Sequence, residues 1–174
     1  TNTLEAVSRH LFEQNVEINQ SLVLAGHIPT EIFSKTFLDT FVFIGGCGTA
    51  LSFVLALYIA SKQIHNRKMS FVALPSALFN ISEIAVFGFP IIFNLTMLIP
   101  FILTPVILTL ISASAIKAGL VPAVTQSVEW TIPVLLSGYQ ATGSVSGSLL
   151  QLFNLLVGVF IYMPFVRRSE KQET

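Results

Sequence analysis

One acidic side chain stands alone in an otherwise uncharged part of the sequence. Glu83 is the sole charged residue in the stretch 69–116. A carboxylate in apolar surroundings must pair with a cation, accept several hydrogen bonds or take up a proton. Asn80 precedes it and Asn94 follows, and amides beside a carboxylate suit sugar hydroxyl groups, which both donate and accept hydrogen bonds. The alternative is that Glu83 accepts N–H groups from the backbone of its own segment.

A single tryptophan offers a second contact for a ligand. Trp130 is flanked by Glu129, Thr131 and Pro133. An indole packs its face against the apolar C–H face of a sugar ring and adds an N–H donor. Tryptophan also serves as an anchor at a membrane interface, so both roles stay open from the residues alone. Glu129 favours the start of a helix.

The other reactive residue types give no support for catalysis or metal binding. Cys47 is the only cysteine, which excludes an internal disulfide or a multi-cysteine metal site. Asp39, at the edge of an apolar stretch, is interpreted as an interfacial charge. The sequence has no nucleotide-binding, nucleophile or metal motif, and its net charge of zero gives no basic surface for nucleic acid. We therefore expect no catalytic residue, cofactor, metal or nucleic-acid partner.

The composition is that of a membrane protein. Hydrophobic residues make up 53% of the 174 residues and charged residues 10%, against about 25% charge in soluble domains. Residues 41–60 and 130–166 carry no charge at all. Because roughly 20 apolar helical residues cross the hydrocarbon core, these stretches predict transmembrane helices.

Three relatively clean spans are predicted, at residues 37–61, 95–116 and 149–166. The glycine-rich run 45–48 inside the first span indicates either close helix packing or an unwound stretch beside a ligand. Tyr162 lies near the basic end of the last span, where an interfacial aromatic residue belongs.

Two further apolar segments are interrupted. Residues 70–94 contain Pro75 and the polar run around Glu83, and residues 121–148 contain Pro133 and a Ser/Gly-rich run. Non-helical backbone at membrane depth persists only where protein or a wet cavity satisfies it, so broken segments point to a transport site. We predict an all-α integral membrane fold in which transmembrane helices alternate with two re-entrant helical hairpins. The Ser/Gly-rich run is then a hairpin tip, with an ordinary loop as the alternative.

Basic residues set the expected orientation. The loop 62–68 and the chain end 167–171 are both basic, so both are predicted to be cytoplasmic. Two hairpins with two spans, or four spans, would each satisfy this arrangement.

The N-terminal region has a different pattern. Glu5, Arg9, Glu13 and Glu17 recur at every fourth residue, which predicts an amphipathic helix at the membrane surface or against a neighbour. The chain is accordingly divided into an amphipathic helix and loop at 1–36, a sugar-binding domain at 37–168 and a cytoplasmic tail at 169–174.

Ordered motifs run through most of the chain. They are Phe-Ile-Gly-Gly-Cys-Gly-Thr at 43–49, Leu-Pro-Ser-Ala-Leu-Phe-Asn-Ile-Ser-Glu at 74–83, Phe-Gly-Phe-Pro at 87–90, Leu-Ile-Pro-Phe-Ile-Leu-Thr-Pro at 98–105, Gly-Leu-Val-Pro at 119–122, Trp-Thr at 130–131 and Ile-Tyr-Met-Pro-Phe at 161–165. In order and spacing they resemble the lactose/cellobiose enzyme IIC permeases of phosphotransferase systems. The resemblance covers roughly residues 22–168 and corresponds to the C-terminal half of such a permease.

The resemblance implies a binding site. In that family the segment that matches 80–83 forms the tip of a re-entrant hairpin, and its glutamate and asparagine bind the sugar. The tryptophan that matches Trp130 lies near the same pocket. We therefore expect Glu83, Asn80, Trp130, Thr131 and Asn94 to bind substrate.

The resemblance also implies partners. The substrate would be a β-linked disaccharide of the cellobiose, lactose or diacetylchitobiose class, carried across the bacterial inner membrane. A IIB protein or domain would phosphorylate it from a phosphocysteine, which is not Cys47, so this chain would be a permease subunit without catalytic residues of its own. An N-terminal half that precedes the chain, and a homodimer, are expected in the full protein.

Several positions depart from the family pattern. Where the family has Asn-Ile-Asn-Glu-Pro, Ser82 and Ile84 replace the second asparagine and the proline. Leu95 stands in place of a proline after Asn94, and Glu129 in place of a proline before the tryptophan. These changes favour one alternative, a permease-like membrane sensor or anchor that no longer transports.

Overall fold

The computed structural model of the chain describes residues 14–89 and 94–172. Glu5, Arg9 and Glu13 of the predicted amphipathic stripe lie outside the described residues, as do residues 90–93 and 173–174. The described part consists of helices joined by turns and loops, without a strand. This agrees with the all-α prediction.

The described residues form eight helical elements. They are α1 (residues 14–24), α2 (Lys35–Phe37, continued by the π-helical turn Leu38–Val42), α3 (Ala50–Ala60), α4 (Ile64–Leu78), α5 (Glu83–Gly88), α6 (Leu95–Lys117), α7 (Leu136–Thr142) and α8 (Val145–Gln172). Among the described residues, α6 and α8 are long and apolar enough to cross a membrane. They correspond to the second and third predicted spans.

The first predicted span, 37–61, is not one continuous helix. Its helical pieces α2 and α3 are separated by residues 43–49, here called the glycine loop. Gly45, Gly46 and Gly48 have φ of 81°, 98° and 66°, in the left-handed region that ends a helix and that glycine adopts without strain. The run is therefore unwound, and Gly48 also lies close to Phe101 of α6, where a β-carbon would be 2.2 Å from the ring.

The first interrupted segment forms a helix–turn–helix. Helix α4 and helix α5 are joined by residues 79–82, here called the hairpin tip, and they pack against each other. Pro75 was expected to interrupt the segment, but it lies inside α4, three residues before the helix ends. A proline there removes only one backbone hydrogen bond, so the break falls later, at the tip.

The second interrupted segment has an irregular first part and a tight second part. Residues 121–135 form no helix, whereas the Ser/Gly-rich run folds into α7, a turn at Gly143 and the start of α8. A β-carbon on Gly147 would lie 2.4 Å from the carbonyl oxygen of Gly138, so only small residues allow α7 and α8 to approach so closely. The run is therefore a helical hairpin rather than an ordinary loop.

Helix α8 is the centre of the structure, since it packs against α3, α6, α7 and the π-helical turn. Three of its side chains donate to backbone carbonyls of the broken first span. In the π-helical turn, Gln151 Nε2 donates to Thr40 O at 2.8 Å and Asn154 Nδ2 donates to Phe41 O at 2.9 Å. In the glycine loop, Tyr162 Oη donates to Gly48 O at 2.5 Å. These bonds satisfy backbone that a regular helix would have paired internally.

Tyr162 was expected at the membrane interface, and this expectation is wrong. The side chain is fully buried, and its ring lies 5.4 Å from that of Phe53. Tyr162 lies near the basic end of α8, where interfacial residues occur, but it is on the face of α8 that packs against α3. Its hydroxyl donates to the carbonyl of Gly48.

Gln151 joins several segments of the chain, a role that the sequence analysis did not predict. Its Oε1 accepts from Leu135 N at 2.7 Å and Gly138 N at 3.1 Å, and its Nε2 donates to Ser137 Oγ at 2.9 Å as well as to Thr40. The side chain is buried and all four of its hydrogen-bonding positions are used. One amide thus holds α7, α8 and the π-helical turn together.

Replacing this amide should destabilise the protein strongly. We expect Gln151→Leu to leave several buried backbone groups unpaired, at about 1–3 kcal/mol each, and to lower the thermal unfolding temperature of the detergent-solubilised protein. Gln140→Leu, at an exposed position of α7, is the matched control and should leave that temperature nearly unchanged. Equal effects of the two substitutions would contradict the role assigned to Gln151.

Candidate functional site

Asn80 joins three segments of the chain. Its Oδ1 accepts from Gly45 N at 2.8 Å in the glycine loop, and its Nδ2 donates to Trp130 O at 2.6 Å and Ile132 O at 3.4 Å. Next to it, Ser82 Oγ accepts from the backbone N–H of Cys47 at 3.3 Å in the glycine loop. The hairpin tip is therefore fastened both to the glycine loop and to residues 127–135, here called the tryptophan loop.

Local backbone chemistry allows these segments to meet. Asn80 has φ of 60°, a left-handed conformation that asparagine tolerates better than most residues. Gly46 has φ of 98°, and a β-carbon there would lie 2.7 Å from Ser82 Cβ and 2.8 Å from Asn80 O. Only glycine at position 46 permits this approach of the loop to the tip.

The three segments border an open cleft of about 350 Å³, here called the tryptophan cleft. It is lined by Lys35, Asp39, Phe43, Gly46, Cys47, Asn80 and Trp130. Trp130 is half-exposed, so its ring is accessible to a ligand. The cleft combines aromatic surface with an ion pair, in which Lys35 Nζ lies 2.9 Å from Asp39 Oδ2. Apolar walls with a few polar groups are typical of small-molecule sites.

Glu83 and Thr131 are sequence neighbours of residues at this site, and both are exposed. Glu83 follows Ser82 of the hairpin tip, and Thr131 follows Trp130. Glu83 is the first residue of α5. Within residues 14–89 and 94–172 the structure gives its carboxylate no hydrogen bond, so the alternative of bonding to its own hairpin is not observed there. The structure thus brings Asn80 and Trp130 together, with Glu83 and Thr131 adjacent.

Asn94 occupies a different place. It precedes α6 as its N-cap, with Oδ1 accepting from Thr96 N at 3.0 Å, and its Nδ2 donates to Ser169 Oγ at 2.7 Å. It lines a second cleft, of about 240 Å³, that has no lining residue in common with the tryptophan cleft. The structure therefore does not bring Asn94 to the other four residues.

Sequence reasoning missed two residues of the tryptophan cleft. Lys35 received no role, and Asp39 was interpreted as an interfacial charge, yet both line the cleft. Their four-residue spacing is that of an ion pair on one helical face, which was the available indication. What could not be inferred is that this face points towards Trp130.

The contact between glycine loop and hairpin tip can be tested with alanine. Gly46→Ala should destabilise the protein by more than Gly119→Ala, because both place alanine at positive φ but only position 46 is crowded. The strain common to both is about 1–2 kcal/mol. Thermal unfolding of the solubilised protein measures the difference, and equal losses would rule out the close approach.

The two contributions of Asn80 can be separated in the same way. Asn80→Gly keeps the left-handed backbone but removes the tether, and we expect a loss of about 1–3 kcal/mol in unfolding free energy. Asn80→Ala should lose roughly 1 kcal/mol more, because alanine at positive φ is strained. A glycine variant as stable as the native protein would show that the tether contributes nothing.

Comparison with known proteins places this geometry in a family. Residues 3–105 match the family model described as "Phosphotransferase system, EIIC". The PTS system oligo-beta-mannoside-specific EIIC component of Bacillus subtilis (strain 168) is 36% identical over 155 residues, which cover 88% of this chain and 35% of that protein. The PTS system cellobiose-specific EIIC component of Geobacillus stearothermophilus is 37% identical over 168 residues, covering 95% of this chain and 35% of that protein. The chain spans about a third of the length of these relatives.

A solved structure has the same fold. The crystal structure of the transporter ChbC, the IIC component from the N,N'-diacetylchitobiose-specific phosphotransferase system, is similar with a TM-score of 0.86 and 34% sequence identity. The similarity covers 91% of this chain and 37% of that one. The all-helical arrangement of α1 to α8 is therefore found in a membrane transporter. On the family model, the relatives and the shared fold together, this chain belongs to the phosphotransferase system EIIC family.

Proposed function

We propose that this chain is the C-terminal, sugar-binding part of a longer phosphotransferase-system permease and that it binds a β-linked disaccharide in the tryptophan cleft. The observation that carries the proposal is the fastening of the hairpin tip to the tryptophan loop through Asn80. It joins the segment that contains Glu83 to the loop that carries an accessible indole. Relatives named for cellobiose, lactose and diacetylchitobiose support this substrate class.

Each residue of the proposed site has a physical role. The half-exposed ring of Trp130 packs against the apolar face of a sugar ring. Glu83 accepts from sugar hydroxyls, and hydrogen bonds to a charged group contribute roughly 1.5–3 kcal/mol each. Thr131 adds a hydroxyl that can donate and accept. Asn80 positions these groups, since three backbone partners already use its amide.

The proposed topology has α6 and α8 crossing the membrane, with α4–α5 and residues 121–144 as re-entrant hairpins. Two crossings place the basic regions 62–68 and 167–171 on one side, which is cytoplasmic by the positive-inside rule. One contact supports this arrangement. Glu170, near the end of α8, accepts from Lys62 N at 2.9 Å and from Asn66 Nδ2 at 3.1 Å, so the two basic regions are neighbours. The proposed domain boundaries remain 1–36, 37–168 and 169–174, in the bacterial inner membrane.

In the full-length protein, an N-terminal part would complete the permease and form the homodimer. Movement of the sugar-binding part against it would carry the disaccharide across. A IIB partner would then transfer the phosphoryl group from its phosphocysteine to a sugar hydroxyl. This chain contributes binding and orientation to that sequence of events.

The alternative of a sensor or membrane anchor is not favoured. The relatives that match most of the chain are named as permease or IIC components. The main support for a sensor or anchor was the altered motif at the hairpin tip. Ser82 of that motif nevertheless contacts the glycine loop through its hydroxyl.

The proposed site predicts a specific loss on substitution. In the full-length protein, Glu83→Gln should weaken disaccharide binding about tenfold or more, because a charged acceptor is lost. Isothermal titration calorimetry with cellobiose, lactose and diacetylchitobiose measures the affinity. Glu31→Gln, outside both clefts, is the control and should bind normally. An unchanged affinity of the Glu83 variant would remove that residue from the site.

A further inference from the structure

A second, more polar cleft adjoins the tryptophan cleft, and two side chains line both. A cleft of about 390 Å³, here called the polar cleft, is lined by Lys35 and Trp130 as well as by Glu17, Gln20, Ser127 and Glu129. Lys35 and Trp130 also line the tryptophan cleft. The two clefts therefore meet at one pair of side chains, and each lies near the lower end of the roughly 300–1,000 Å³ typical of small-molecule sites.

We propose that the polar cleft is a second subsite, which binds the next sugar unit of a β-linked oligosaccharide longer than a disaccharide. This inference rests on the proposed function, because it extends the same site past Trp130. The ligand would pass the wall formed by Trp130 and Lys35, with one part in each cleft.

The chemistry of the polar cleft suits a neutral, hydroxyl-rich ligand. Carboxylates of Glu17 and Glu129 accept hydrogen bonds, whereas Gln20 and Ser127 both donate and accept, which matches sugar hydroxyl groups. The Lys35 ammonium carries three donor hydrogens, and Asp39 takes one of them at 2.9 Å. Among the described residues no group of three or more metal-ligating side chains is present, so the acidic residues here do not form a metal site.

The polar cleft is built on fixed backbone. Asn19, which is fully buried on α1, donates from Nδ2 to Val124 O at 2.9 Å and to Glu31 O at 2.6 Å, and its Oδ1 accepts from Glu31 N at 3.0 Å. These bonds fasten α1 to the segment that leads into the tryptophan loop. Gln20 and Glu17 on one wall, and Ser127 and Glu129 on the other, are thereby held at a set separation, as a binding site requires.

The test compares ligands of increasing length. Calorimetry on the full-length protein with cellobiose, cellotriose and cellotetraose should show the trisaccharide binding about tenfold more tightly than the disaccharide, from the added hydrogen bonds. Gln20→Ala and Glu17→Ala should abolish this advantage and leave the disaccharide affinity within about twofold, because both side chains line the polar cleft and neither lines the tryptophan cleft. Gln14→Ala, at an exposed glutamine of α1 outside the clefts, should retain the advantage.

The possible results separate the two proposals. Equal affinity for disaccharide and trisaccharide, or an advantage that Gln20→Ala and Glu17→Ala leave intact, would overturn the second subsite while the proposed function stands. A protein that binds none of the cello-oligosaccharides, nor lactose or diacetylchitobiose, would overturn the proposed function and this inference with it.

Discussion

Buried backbone that leaves the regular α-helix must find hydrogen-bond partners within the protein, because no water reaches it. In this chain α8 supplies them. Gln151, Asn154 and Tyr162 bond to carbonyls of the π-helical turn and the glycine loop. An unpaired polar group in such surroundings costs several kcal/mol. With these carbonyls paired, the glycine loop can hold an open shape, and the candidate site is built on that shape.

The next link runs from the glycine loop to the hairpin tip and on to the tryptophan loop. Asn80 makes it because an amide offers an acceptor and two donors on one short side chain. The acceptor takes Gly45 N–H and the donors reach the carbonyls of Trp130 and Ile132. The position of the tryptophan loop thus depends on α8 through two successive sets of hydrogen bonds, of which the set made by α8 is buried. A substitution far from the cleft, in the middle of α8, would therefore act on the position of the tryptophan loop.

The features that the sequence revealed are the local ones. Apolar length located α6 and α8, and turn-forming residues located the break at the hairpin tip, because both depend on neighbouring residues. The hydrogen bond between Gln151 and Thr40 joins residues 111 positions apart and leaves no periodic pattern. Tyr162 was misplaced for the same reason, since its partner Gly48 is 114 positions away. Proximity to the basic chain end was the only local information at that residue.

Ser82 shows how a departure from the family pattern is accommodated. Its hydroxyl accepts from Cys47 N, and its Cβ would lie 2.7 Å from a β-carbon at Gly46, so the tip sits against the loop without room for a side chain at position 46. In this closely docked tip Asn80 supplies the amide tether and Ser82 adds a hydroxyl that accepts from the glycine loop. Since α5 begins at the next residue, Glu83 directly follows this contact, with its side chain exposed.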